Sequence, residues 1–454
     1  MNQHNPTRNM LALTLAQLDF WEEFRHHPDE AVSSVAHAIE IRGRDGTPVD
    51  AEALSRAITQ TVVEAEVLSI RFHPVEGGPP LQSCDPARAP QLVRFDLSDQ
   101  PDPLAAALQM FQDDIATPTD LRRDPLAAEW LLRLGADRWL WYNRGHHIIL
   151  DGFSMGLLET RCAELYAHFR FGTPEGQPFK PFAAYLAEEE AYRRSPPHEA
   201  ARAYWAERAA EAGTLPTIRK GEENYAEAGY AFEFDLPGPD GRIAALADIS
   251  GLNWADLSTA LVSAYLLGHL DGPHRTPAGA PAAALPVWLP FMSRLGSVSA
   301  HIPAMVVNIL PLNVRVPSEG TLSGFLAETA KGLRKLRRHG RYRIEQIAED
   351  CGVGAGSRFF FSPLINVLPF DQPQFQGCHA TRHVMSSGPN DGLNVTIRAE
   401  HDGSGMILQI DADPALMARD EFDRHCRDLR AFLDRALQPE SLTLPLTELM
   451  TQAS

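Results

Sequence analysis

The spacing of apolar and polar residues changes period at one point, and that point organises the chain. Glu129 to Leu134 and Arg138 to Asn143 are short runs rich in apolar and aromatic residues, separated by Gly135-Ala136-Asp137, and they predict a β-hairpin. Beyond them Met155, Leu158, Cys162, Leu165 and Phe169 recur at helical spacing. The stretch Arg144 to Ser154 therefore lies where a strand hands over to a helix. Upstream, Val32 to Arg42 alternates, with Val35, Ile39 and Ile41 on one side, and reads as a strand. Asp50 stands as a helix N-cap before Leu54, Ala57, Ile58, Thr61 and Val62.

The rest of the chain repeats this mixture. Pro181 to Tyr185 and Tyr204-Trp205 flank a charged helical region. Tyr230, Phe232 and Phe234 alternate as a strand, Trp254, Leu257, Leu261 and Tyr265 mark an amphipathic helix, and Gly272 to Pro281 reads as a loop. Met305 to Leu312 has the composition of a buried strand with one polar residue, Asn308. Phe325 to His339 predicts a helix whose second half carries Lys331, Arg334, Lys335, Arg337 and Arg338, a face usually solvated. Leu393 to Arg398 and Ile407 to Ile410 read as strands, and Phe422, Cys426, Leu429, Leu433 and Leu437 share one face of a closing helix. A chain of 454 residues exceeds one ordinary core. We expect an α/β (α+β) protein of two units, residues 1–180 and 181–440, with 441–454 starting a linker or tail.

Composition narrows the class. Apolar residues make up 44% and charged residues 22%, the profile of a folded soluble protein. A formal charge of -18 disfavours a nucleic-acid partner, because phosphate binding needs a broad positive face. The five cysteines are scattered and form no CxxC, so neither a metal site nor a disulfide framework is expected, and a reducing cytoplasm fits. Met10 to Leu18 is briefly apolar but lacks a basic flank and a cleavage site, and no apolar run is long enough to span a bilayer.

The candidate chemistry sits at the handover, in His146-His147-Ile148-Ile149-Leu150-Asp151-Gly152. An imidazole with an ordinary pKa near 6.5 can take or hold a proton at working pH. Adjacent strand residues face opposite sides, so one of the two histidines looks into any given cavity. Asp151 at the helix start can orient the loop, and Gly152 lets a substrate approach closely. A bare His-His pair is more often one core and one solvent residue; the fixed offset to Asp151-Gly152 and the preceding hairpin favour a site.

This segment resembles the HHxxxDG signature of the condensation domains of nonribosomal peptide synthetases, relatives of chloramphenicol acetyltransferase. Other stretches resemble the family's further motifs in order, from about residue 12 to 440: Thr14, Ala16, Gln17 and Trp21 (with Asp19 and Phe20 where the family usually has Arg and Leu), Leu68 to Phe72, Met305 to Leu312, His339 to Gln346, and Ser357-Arg358 through Val367. Ser69 stands where the family carries an arginine, and Arg343 where it carries a proline. Asp137 to Tyr142, Asp151 to Ser154, Arg294 to Ser297 and Arg337 to Ile347 are most similar to condensation domains that open siderophore modules, which implies an aryl donor such as 2,3-dihydroxybenzoate or salicylate.

The resemblance implies two acetyltransferase-like lobes forming a V-shaped pseudo-dimer with a central tunnel. It implies amide formation between a carrier-bound acyl thioester and the amine of a carrier-bound aminoacyl thioester. His147 is then the catalytic residue, with His146, Asp151 and Gly152 completing the site. Trp21, Ser154, Asn308 and Arg341 are the expected substrate-binding residues, the last through the phosphate of a phosphopantetheine arm. A buried Asp151 needs a cation; with the usual arginine replaced by Ser69, Arg71 and Arg294 are the candidates, and Arg294 is preferred. No metal or cofactor bound by the chain is expected, since the phosphopantetheine arms arrive on donor and acceptor carrier proteins. A following adenylation domain is a further expected partner, and the chain is expected to be a monomer. The alternatives are an epimerisation domain, which also carries HHxxxD, and an inactive platform that binds carriers; a heterocyclisation domain is disfavoured because paired aspartates replace the histidines there.

Overall fold

The hairpin expected at residues 129–143 is the centre of a sheet. In the computed structural model, Ala127–Gly135 and Arg138–His146 pair antiparallel, and Arg138–His146 pairs on its other side with Ser34–Gly43. The structure describes residues 10–31, 33–211, 215–222, 229–236, 239–270, 284–318, 320–354, 356–389 and 391–451. Residues 1–9, Val32, the loop expected at Gly272 to Pro281 and Asn390 lie outside the described residues.

The first sheet has five strands in the order Cys378–Ser387, Ser34–Gly43, Arg138–His146, Ala127–Gly135, Leu92–Asp96. Period-two alternation gives it two apolar faces. Ile39, Ile41, Leu131 and Trp141 pack on helices Ala51–Glu64 and Gly152–Phe171 through Leu54, Ile58, Cys162 and Leu165. Ala36, Ala38, Leu132 and Leu140 pack on helix Pro103–Ile115 through Ala107 and Phe111. Asp50 caps helix Ala51–Glu64 by accepting from the Glu52 and Ala53 amides.

The second sheet has six strands in the order Asn308–Arg315, Ala284–Phe291, Leu364–Pro369, Leu393–Ala399, Ile407–Ala412, Tyr230–Asp235. Helices Trp254–His269, Leu322–His339 and Arg419–Ala436 share its core through Leu261, Tyr265, Phe325, Leu333, Phe422 and Leu429. A sheet of three short strands, Leu11–Ala12, Gly78–Cys84 and Ile70–Val75, flanks the first lobe.

The boundary expected near residue 180 falls between helices Gly152–Phe171 and Phe182–Arg193, yet the sheets do not follow it. Cys378–Ser387 leaves the second half and pairs antiparallel with Ser34–Gly43, from Cys378 opposite Gly43 to Ser387 opposite Val35. Ile302, Ala304 and Val306 likewise bury against Ile148, Ile149 and Leu150 in the first lobe. All five cysteines are free. Among the described residues no helix is long and apolar enough to cross a membrane.

Candidate active site between the lobes

Strand Arg138–His146 ends at the first histidine, and the turn that follows throws the two rings apart. His146 is buried, its Nδ1 accepting from the Ile148 amide at 3.0 Å. Burial, helped by the neighbouring His147 and Arg144 charges, pushes its pKa down to about 3, so it is a neutral structural ring. His147 is half-buried and faces a cavity of about 700 Å³ between the lobes. Its amide donates to the Ser33 carbonyl at 2.6 Å, and its ring stacks on Phe20 at 5.6 Å between centroids and 6° between planes. Nδ1 lies 2.9 Å from the Leu150 carbonyl, so Nδ1 carries the proton and Nε2 keeps its lone pair. Nε2 is 3.4 Å from the Ser387 carbonyl. Burial lowers the His147 pKa, while the Ser387 and Leu150 carbonyls and the Asp151 charge oppose the shift without cancelling it.

Asp151 is the N-cap of helix Gly152–Phe171 and lies buried at the cavity wall. Its carboxylate accepts from the Ser154 amide at 2.9 Å, from Arg294 Nη2 at 2.8 and 2.9 Å, and from the Val306 and Val307 amides at 3.0 and 3.1 Å. Burial alone would raise this carboxyl; the Arg294 charge and the Val306 and Ser154 hydrogen bonds outweigh it and hold the pKa below its ordinary value. Arg294 also donates to the carbonyls of Ser299, Ile302 and Ala304 at 2.5, 2.9 and 2.6 Å. Arg71, the other candidate cation, is exposed on the strand Ile70–Val75. Arg343 completes the cluster from the far side, donating to the Val306 and Val307 carbonyls at 3.0 Å each. The loop behind His147 is thereby held by an ion pair joining the two lobes. Gly152 lines the cavity one residue later.

The four expected substrate-binding residues lie elsewhere. Trp21 does not line the cavity; it packs on Phe24 and Phe72 in the first-lobe core, and its helix presents Asp19 and Phe20 to the cavity instead. Ser154 is fully buried in the ion-pair cluster, its Oγ 2.8 Å from Asp151 and 2.7 Å from the Ala304 carbonyl. Asn308 is spent on backbone, donating to Gly340 and Tyr342 carbonyls at 2.8 and 3.2 Å and accepting from the Ile344 amide at 3.1 Å. Arg341 pairs with Glu188 and Glu189 at 3.2 and 2.9 Å and covers the Tyr192 ring. Of the basic residues around it, Arg337 pairs with Asp256 and Lys331 with Glu328. Motif position places a residue near the interlobe region but does not say which way its side chain turns.

Other residues at the cavity carried no such assignment. Phe153 and Phe370 meet edge to face at 6.0 Å on its wall. Gly388, with φ of 93°, brings backbone so close to His147 that a Cβ there would sit 2.6 Å from Nε2. Arg358 pairs with Asp391 and, across the lobes, with Glu23 at 2.7 Å. Asp19 pairs with Lys220 at 3.0 Å, and burial pushes its carboxyl up to about 7 against that pull. The signal for such residues was a charge in an apolar context: Asp19 and Glu23 share a helix with Ala16, Trp21 and Phe24. Among the described residues no group of three or more His, Cys, Asp or Glu side chains could hold a metal ion.

Two mixed lobes, a cavity lined from both, and a histidine whose Nδ1 is tied to backbone at 2.9 Å while Nε2 is held only by the long 3.4 Å approach of the Ser387 carbonyl define an acyltransferase of the chloramphenicol acetyltransferase type. Residues 7–454 match the Condensation domain family, and the chain belongs to it. It is 34% identical over 407 residues to an isonitrile lipopeptide synthase of Streptomyces coeruleorubidus, covering 89% of this chain and 27% of that protein. It is 32% identical over 417 residues to enterobactin synthase component F of Escherichia coli O157:H7, covering 89% of this chain and 30% of the relative. The chain thus spans less than a third of the length of these relatives. Its backbone is similar to the crystal structure of VibH, a condensation enzyme of nonribosomal peptide synthesis, with a TM-score of 0.82, 30% identity and coverage of 96% of this chain and 100% of that one. Condensation domains are amide-forming acyltransferases that need no cofactor of their own and act on carrier-bound phosphopantetheine thioesters.

Proposed function

We propose that this domain joins an aryl acyl group on a donor carrier to the amine of an aminoacyl group on an acceptor carrier. The observation that carries the reading is His147 on the cavity wall, with Nδ1 committed to Leu150 at 2.9 Å and Nε2 engaged only by the longer 3.4 Å approach of the Ser387 carbonyl. The acceptor amine attacks the donor thioester carbonyl, forming the C–N bond and a tetrahedral oxyanion. His147 Nε2 takes the amine proton; collapse breaks the C–S bond, and the proton leaves with the donor arm's thiol. General-base help of this kind is worth on the order of 10² to 10⁴ in rate. The amide of Gly152, at the start of a 20-residue helix, is offered to the oxyanion. His146 and Asp151 hold the loop. The carriers approach from opposite mouths of the cavity, and the domain works as a monomer.

The aryl donor is supported by the likeness to enterobactin synthase and by the ring-lined wall at Phe153 and Phe370. A second reading, a fatty acyl donor, is favoured by the likeness to the isonitrile lipopeptide synthase and by an apolar part of the cavity at Leu104, Leu108, Phe111 and Leu140. Intact-mass spectrometry of paired carriers, one loaded with an aryl or alkanoyl group and the other with an aminoacyl group, decides between them. An aryl-aminoacyl mass on the acceptor arm, absent without the domain, supports the proposal. Transfer of alkanoyl but no aryl groups favours the second reading. Epimerisation of a single loaded carrier, or carrier binding without turnover of any donor, overturns both.

A further inference from the structure

A second imidazole lies on the wall of the same cavity. His37, on strand Ser34–Gly43, has its Nδ1 2.6 Å from Glu159 Oε1. Glu159 sits behind the wall, with no exposure, on helix Gly152–Phe171, and Arg382 of the crossing strand donates to it through Nε at 2.7 Å and pairs through Nη2 at 2.5 Å. Burial alone would raise the Glu159 carboxyl, but His37 and Arg382 outweigh it and hold it below its ordinary value, so it is an anion. An anion accepts, so Nδ1 of His37 is the donor and its ring is fixed in orientation. Among the described residues no hydrogen bond to Nε2 of His37 is formed, although the residue lines the cavity.

Placement gives this atom a task. The Ser34–His146 pair and the His37–Asn143 pair are three residues apart in register, about 10 Å along the strands. The wall that holds His37 and His147 also carries Phe153 and Phe370, and the Phe370 carbonyl accepts from Arg382, the arginine behind His37, at 3.2 Å. A flat acyl group with its carbonyl at His147 would lie against these rings and reach toward His37. A buried glutamate backed by an arginine and spent on orienting one ring is more than packing requires, since an apolar residue would fill the same space without burying charge.

We propose that His37 is a specificity residue, accepting through Nε2 a hydrogen bond from a hydroxyl on the donor acyl group, so that the domain selects phenolic over unsubstituted aryl donors. This rests on the aryl reading above and names the substituent that the site reads. Glu159 and Arg382 are positioning residues that act through His37. The ring takes no part in bond making, so its loss changes selectivity and leaves the condensation step in place. A site built to hydrogen-bond a hydroxyl rejects the analogue lacking it, because its own buried group is left unpaired.

The test uses the whole chain with an acceptor carrier and a donor carrier loaded with either 2,3-dihydroxybenzoyl or benzoyl groups. The wild-type domain is expected to favour the hydroxylated donor by about 10- to 100-fold in apparent kcat/KM. His37→Leu should lose that ratio, slowing the hydroxylated donor and quickening benzoyl transfer, which no longer strands a buried polar group; Glu159→Gln should fall between the two. Should His37→Leu lose its fold by circular dichroism, His37→Gln and the wild-type ratio decide the matter. Equal use of both donors by the wild type, or a preference that survives at His37→Leu, overturns this inference and leaves the aryl reading standing. Failure of the wild type to transfer either aryl group removes the aryl reading and this inference with it.

Discussion

At the scale of single residues, the proposed mechanism separates the His147 imidazole, as base, from the groups that hold its loop. Because burial holds the His147 pKa below the ordinary 6.5, its base form prevails at and above neutrality. Apparent kcat/KM should therefore be level above pH 6.5 and decline only as pH falls through the lower value; an acid limb centred at or above pH 7 would argue against His147 as the base. His147→Ala should abolish transfer with an unchanged melting curve. Removing Arg294 is different in kind, since it strands a buried carboxylate, and Arg294→Ala should destabilise the domain by roughly 3–5 kcal/mol in denaturant titration. The pH dependence has a definite sign. With its folded pKa below 3.8, Asp151 contributes its full stabilisation above that value and loses it as pH falls through the lower folded pKa. The stability gap between wild type and Asp151→Asn should accordingly narrow below pH 3.8, and a gap that widened there would contradict the pairing described.

At the scale of elements, Gly388 closes the strand Cys378–Ser387 against the His147 ring. A Gly388→Ala change would force a side chain into a left-handed backbone and to within 2.6 Å of the His147 ring. We expect a melting loss of about 1–3 kcal/mol and, because the ring must move, about a 100-fold loss of transfer rate. Intact-mass turnover near the wild-type rate would show that the ring is not held by this contact. Elements are also where the sequence was most legible. The hairpin at 127–146 and the helix after it were readable because periods of two and 3.6 are local properties. Arg294 was reachable because a buried carboxylate demands a cation and the segment around Arg294 resembles the family's arginine-containing stretch. Strand Cys378–Ser387 was not: four of its ten positions are exposed, at even spacing, and nothing local tells such a strand which sheet it will join. His37 and Glu159 were missed for a related reason. Each is one polar residue on an apolar face, and only the fold brings the two faces together.

At the scale of the whole molecule, the lobes are interleaved rather than juxtaposed. The first lobe takes its edge strand, Phe375 and Cys378 of one core cluster, and Ile302, Ala304 and Val306 of another from the second half of the chain. Residues 10–180 produced alone should leave Ser34–Gly43 as a bare edge and these cores open, and should aggregate. Co-production with residues 181–451 should restore a soluble complex by size-exclusion chromatography; a monodisperse, folded 10–180 fragment would contradict this. The interleaving has a practical bearing on chimeras. Because one strand from the C-terminal half carries both the carbonyl beside His147 and the arginine behind His37, a breakpoint at the apparent midpoint would import another enzyme's cavity wall while retaining this one's histidines. Recombination that respects the architecture would transplant residues 375–388 together with the N-terminal half.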